Sequence, residues 1–217
     1  MIYQVGEVPR VLLIQPLGVH EQDSIDSEMA IVAQGADTEL VMVAFTVTNW
    51  ELELTPWHDA AVSRNPAVGE HATETLRYVT SELIPALVAD YGQLPIVLGV
   101  YSLAGLFALW ASKESTVFSA VAAVSPSVWI GGWCDFALRH PVGAASVYLS
   151  LGDREERTRN KAFARVGANI RFEHELLQQQ LGSSHCMLEW NPGNHFADNA
   201  LRTAKGFLWC LKQVDVR

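Results

Sequence analysis

Six short apolar runs, 11–14, 40–47, 96–98, 119–125, 146–151 and 187–190, punctuate the chain. Between most of them lie segments whose apolar residues recur every three or four positions. The runs are rich in Val, Ile, Leu and Ala and too short for helices, the pattern of strands buried on both faces. Segments 20–35, 70–91, 163–180 and 200–214 read as helices. In 70–91, Leu76, Val79, Leu83, Leu87 and Val88 fall on one stripe, and Pro85 marks a point for a kink. Segments 48–65 and 128–140 read as irregular loops. Strands alternating with helices demand crossover connections, hence a mostly parallel sheet with helices on both faces. Ligands of such a sheet sit at the carboxyl ends of its strands.

The most informative stretch is Ile96–Ser112, IVLGVYSLAGLFALWAS. An apolar run enters a small-residue turn, Gly99 to Gly105, and leaves it through good helix formers. Ser102 stands in the middle of the turn. A serine on a tight strand-to-helix turn is the nucleophile-elbow arrangement, with the positive end of the following helix facing the place where an oxyanion forms. The usual pattern is G-x-S-x-G. Here Val100 and Ala104 occupy the two small-residue positions, so Val100 is the departure of consequence. The competing reading is a buried strand-turn-helix with an idle serine.

A serine nucleophile needs a base and a carboxylate to orient that base. The α/β-hydrolase chain order is serine, acid, histidine, each after a strand. Ser102, the acids of Gly152-Asp153-Arg154-Glu155-Glu156, and His195 in Asn191-Pro192-Gly193-Asn194-His195-Phe196 follow that order. His20 and His58 also lie in loops after strands and are expected near the mouth of the site. The histidines show no spacing suited to a metal pair.

At 217 residues the chain fits a single domain over 1–217. Its net charge of -9 and the absence of a basic run argue against nucleic acid and anionic membrane as partners. No apolar stretch reaches membrane-spanning length. The opening MIYQVGEVPR lacks the form of a secretory signal. Cys134, Cys186 and Cys210, three in number and irregularly spaced, read as reduced thiols of a cytoplasmic protein.

Ser102-Leu103-Ala104-Gly105-Leu106-Phe107-Ala108-Leu109 and Val124-Ser125-Pro126-Ser127-Val128-Trp129 resemble the putative-esterase family of α/β-hydrolases, of the esterase D and enterochelin-esterase type. The resemblance extends to Asn49-Trp50, Pro56-Trp57, Leu149-Ser150-Leu151-Gly152-Asp153 and the His195 loop. It implies an α/β-hydrolase fold, Ser102 as nucleophile and His195 as base. The chain is short for the family, so no large lid is expected. In many α/β-hydrolases the acid stands three residues after a glycine ending its strand. That position is Glu155, with Asp153 the principal rival and Glu156 a further one.

The oxyanion hole is expected from the Leu103 N–H and a second donor at Thr48 or Asn49. Trp50, Trp57, Trp129 and Trp133 are candidates to wall an apolar pocket, against ordinary packing as the alternative. The expected activity is hydrolysis of a small-molecule carboxylic ester or thioester, with no cofactor and no metal. An acyltransferase using the same three residues, and a non-catalytic binding module, are the alternatives.

Overall fold

The computed structural model describes residues 1–18 and 22–214. Seven strands form one sheet: β1 (Ile2–Val5), β2 (Val11–Gly18), β3 (Leu40–Val47), β4 (Ile96–Tyr101), β5 (Ala120–Val124), β6 (Ser146–Gly152) and β7 (Cys186–Asn191). Their order is β1-β3-β2-β4-β5-β6-β7. β1 is antiparallel to β3, and the other neighbours are parallel. The helices are α1 (Gln22–Gly35), α2 (Trp50–Leu54), α3 (Ala72–Tyr78), α4 (Ile84–Tyr91), α5 (Leu103–Glu114), α6 (Trp133–Arg139), α7 (Val166–Leu181) and α8 (Asn199–Leu211).

Alternate residues of the buried strands serve two cores. Leu12, Ile14, Val41 and Val43 pack with residues of α2 to α7 on one face. Val11, Leu13, Leu40 and Met42 pack with α1 and α8 on the other. Because both faces are covered, β2 and β3 read as continuous apolar runs and not as alternating ones.

Three features depart from the sequence reading. The helix expected over 70–91 is interrupted ahead of Pro85. A π-helical turn, Val79–Leu83, joins α3 to α4, and Pro85 sits in the first turn of α4, where a missing N–H costs little. The stretches read as loops hold α2 and α6, and β1 was not foreseen at all. β1 is a four-residue edge strand of alternating exposure, too weak a pattern to stand out.

On the α8 face, glycine permits close approach. A Cβ on Gly99 would stand 2.8 Å from the Phe207 ring and 2.9 Å from Ala122 Cβ. α8 therefore packs directly onto the strand that leads to Ser102. Gly99→Ala is expected to destabilise the fold by about 1–3 kcal/mol through overpacking. A urea midpoint equal to that of the parent protein would show that α8 has slack there.

Candidate active site

Ser102 caps the N-terminus of α5 with φ 62° and ψ −123°. The turn is held by bonds from Ser102 N to Val124 O, 2.9 Å, and from Ser127 N to Ser102 O, 3.1 Å. Gly105 lets α5 lie close to the sheet, since a Cβ there would meet Val100 O at 3.0 Å and Val124 O at 3.2 Å. Val100 has φ 153°, a value glycine adopts more readily than an L side chain. Among the described residues, the non-glycine residues with positive φ are Val100, Ser102, Ser125 and Asp198. Val100 lies near the end of β4, Ser102 and Ser125 follow β4 and β5, and Asp198 is the N-cap of α8.

Ser102 Oγ lies 3.0 Å from His195 Nε2, and His195 Nδ1 lies 2.7 Å from Glu155 Oε2. Burial acts to raise the Glu155 carboxyl. Hydrogen bonds from His195, Ser125 and Gly152 N outweigh that and hold it below its ordinary value. The ionised carboxylate can only accept, so Nδ1 carries the proton and Nε2 is left to accept from the serine hydroxyl. Glu155 Oε1 accepts from Ser125 Oγ at 2.7 Å, from Gly152 N at 2.6 Å and from Arg202 Nη1 at 3.4 Å. Arg202, 1% exposed, also donates to Pro192 O at 2.6 Å and Asn194 O at 3.1 Å. It thus fastens the histidine loop to the carboxylate. The Tyr101 ring lies 5.0 Å from that of His195. Burial, with Glu155 nearby, pushes its phenol up to about 12, so it stays neutral.

The two rival acids are committed elsewhere. Asp153 Oδ1 accepts from Gly193 N at 2.9 Å, bracing the histidine loop through its backbone. Glu156 takes two hydrogen bonds from Arg171, at 2.8 and 3.0 Å. Gly152 is needed where it stands, because a Cβ would come within 2.5 Å of Gly193 O.

Leu103 opens α5 and borders the larger of two cavities that meet at Ser102. The second oxyanion donor is not open where it was expected. The Thr48 and Asn49 N–H groups donate to Glu53 Oε1, at 3.0 and 2.6 Å, because Glu53 closes the first turn of α2 over its own N-cap. Trp50, the next residue, borders the smaller cavity, of about 260 Å³, together with Val100, Ser102 and His195. Trp129 borders the larger one, of about 770 Å³, and packs on Phe163.

Trp57 and Trp133 reach neither cavity. Trp133 is fully buried, its indole donating to Glu173 at 3.1 Å, and Trp57 stacks on it while donating to Gly131 O. Glu173 and its partner Lys113, 2.9 Å away, make a buried ion pair between α7 and α5, so this aromatic group is structural. His58 is exposed and borders neither cavity. His20 lies outside the described residues. Sequence reasoning missed Ser125 and Arg202 as partners of the acid. Ser125 lay within the quoted Ser-Pro-Ser segment, but nothing local ties Arg202 to Glu155.

With this geometry in view, comparison with known proteins is decisive. A family model described as putative esterase matches residues 24–197. The chain belongs to that family. The chain is a carboxylic ester hydrolase with the α/β-hydrolase fold. No curated protein matches. Among solved structures, an IroE-like serine hydrolase from Shewanella oneidensis superposes with a TM-score of 0.76 at 16% identity, over 99% of this chain and 76% of that one. The siderophore hydrolases EstA and EstB from Aspergillus nidulans both give 0.67. EstA is 16% identical over 99% of this chain and 95% of its own. EstB is 19% identical over 97% and 84%. At such identities the likeness is one of fold. No described helix is long and apolar enough to cross a membrane.

Two expectations follow. In a strand Ala is ordinarily more stable than Gly by about 0.5–1 kcal/mol. At Val100 both replacements lose the buried side chain, but Gly alone relieves the backbone. Val100→Gly should therefore be at least as stable as Val100→Ala in urea titration. The ordinary order would show that φ at Val100 stores no strain.

The second concerns acid. The Glu155 carboxyl is depressed in the folded state, so the unfolded chain binds more protons as pH drops through the carboxylate range, near 4. The stability Glu155 contributes is complete above that range and lost as pH falls through its folded value. The stability gap between the parent protein and Glu155→Gln should hold steady near neutrality and shrink in acid. A gap independent of pH, down to the lowest pH at which both fold, would contradict this.

Proposed function

We propose that Ser102, His195 and Glu155 act as a catalytic triad that cleaves small-molecule carboxylic esters, thioesters among them, by way of an acyl-enzyme. The continuous contact from Ser102 Oγ to His195 Nε2, and from Nδ1 to Glu155, carries this reading. Ser102 Oγ attacks the carbonyl carbon while His195 Nε2 takes its proton. Glu155 holds the imidazole in the required tautomer and stabilises the imidazolium as it forms. The developing oxyanion is met by the Leu103 N–H at the positive end of α5. Trp50 N–H is the fitting second donor. It opens α2 beside the smaller cavity and has no hydrogen-bond partner among the described residues. His195 returns the proton to the departing alkoxide or thiolate. Water, activated by the same nitrogen, then releases the acid. The chain works as one domain over 1–217, and the chemistry needs no cofactor.

Ser102→Ala should fold normally and lose at least about a thousandfold in turnover of p-nitrophenyl esters, together with fluorophosphonate labelling. A variant keeping a tenth of the parent rate would refute Ser102 as nucleophile. Glu155→Gln should also fall about a thousandfold or more. Asp153→Asn, which disturbs only a backbone brace, should stay within about tenfold. The reverse ranking would make Asp153 the acid.

A further inference from the structure

The two cavities at Ser102 differ in charge. The larger is walled by Val62, Trp129 and Phe163, and its rim carries Arg154, Arg157 and Arg159. The chain as a whole is acidic, at -9, yet five of its 15 basic residues fall between Arg154 and Arg165. Their position on the segment that follows β6 brings three of them to one cavity.

These cations are poorly matched by acids of the protein. Arg154 lies 4.0 Å from its neighbour Asp153, an exposed and weak pairing. Glu156 is taken by Arg171. Glu155 is occupied by His195, Ser125 and Gly152 N, with buried Arg202 alongside. Among the described residues, no acid pairs closely with the Arg157 or Arg159 side chain; Arg157 acts on Glu156 only at longer range, and Arg171 holds that carboxylate. Glu51, on α2, is the remaining acid among the described residues that line the cavity. Three guanidiniums therefore face one free carboxylate across an opening beside the serine. A guanidinium offers a planar fork that fits a carboxylate or a similar oxyanion, and a cleft lined by one sign of charge raises the local concentration of the other.

We propose that Arg157 and Arg159 are specificity-determining residues that select esters bearing an anionic group, a carboxylate or like oxyanion, on the part held in the larger cavity. This rests on the hydrolase reading of the site. Because the arginines are exposed, each gives a modest gain, and together they should favour the anionic ester about tenfold. Salt should erode the preference, since the Debye length falls to about 3 Å at 1 M.

The test uses two matched pairs of esters that differ by one charge. One pair places it on the acyl side: mono-p-nitrophenyl adipate against its methyl ester. The other places it on the alcohol side: 4-acetoxybenzoate against methyl 4-acetoxybenzoate. In at least one pair, kcat/KM should favour the anion at low salt, and the ratio should fall toward one in 0.5 M NaCl. The double variant Arg157→Gln, Arg159→Gln should bring the ratio near one at low salt. Glu at both positions should invert it, and Lys at both should keep part of it. A preference that survives the Gln double variant, or a parent enzyme that favours the neutral ester in both pairs, would overturn the proposal while leaving the hydrolase reading in place. A folded parent protein that cleaves none of the four esters would overturn both.

Discussion

The carboxylate of Glu155 is 4% exposed, and an ion so placed is tolerable only if every lone pair finds a donor. The donors come from four places: the histidine loop, the turn after β5, the end of β6 and helix α8. Each of these segments is therefore constrained by the others. Arg202 extends the constraint, because the guanidinium that balances Glu155 also holds two carbonyls of the histidine loop. The position of His195 follows from the solvation of one buried charge more than from anything in its own loop.

The same end of the sheet concentrates unfavourable backbone. Val100, Ser102 and Ser125 all have positive φ, each a conformation costing of order 1–3 kcal/mol that persists only where the surroundings dictate it. The surroundings here are two cores that cover both faces of β4 and β5 almost completely. Gly105 and Gly152 complete the arrangement by leaving room where backbone carbonyls crowd. Rigid strands below and strained turns above form one device, in which packing holds a hydroxyl, an imidazole and a carboxylate in line.

Much of this was readable in the residues. The strands were legible because parallel strands buried on both faces show as unbroken apolar runs. The turn at Ser102 was legible because small residues cluster there. The Glu155 position was suggested by a glycine that ends a strand, and its reach to His195 depends on that glycine having no side chain. What escaped was whatever depends on partners distant in sequence. Arg202 looks like any helix surface residue until Glu155, 47 positions earlier, is seen beneath it. Trp133 and Trp57 resembled pocket walls because an aromatic loop has the same composition whether its rings face a cavity or a core. The indole partners, Glu173 and Gly131 O, decide between the two. Thr48 and Asn49 were read from the end of a strand, while Glu53 turned that end into a helix cap.

The separation of 93 residues between Ser102 and His195 has a kinetic meaning. Ser102 belongs to the middle of the sheet. His195 hangs between β7, which lies at an edge, and α8. Edge units of a protein open with less free energy than its centre. Fraying of β7 and its loop would separate the two groups while β2 to β5 remained intact. Competence on heating would then be governed by a sub-global opening of β7 and the loop that carries His195, and inactivation would precede the cooperative melting of the central sheet.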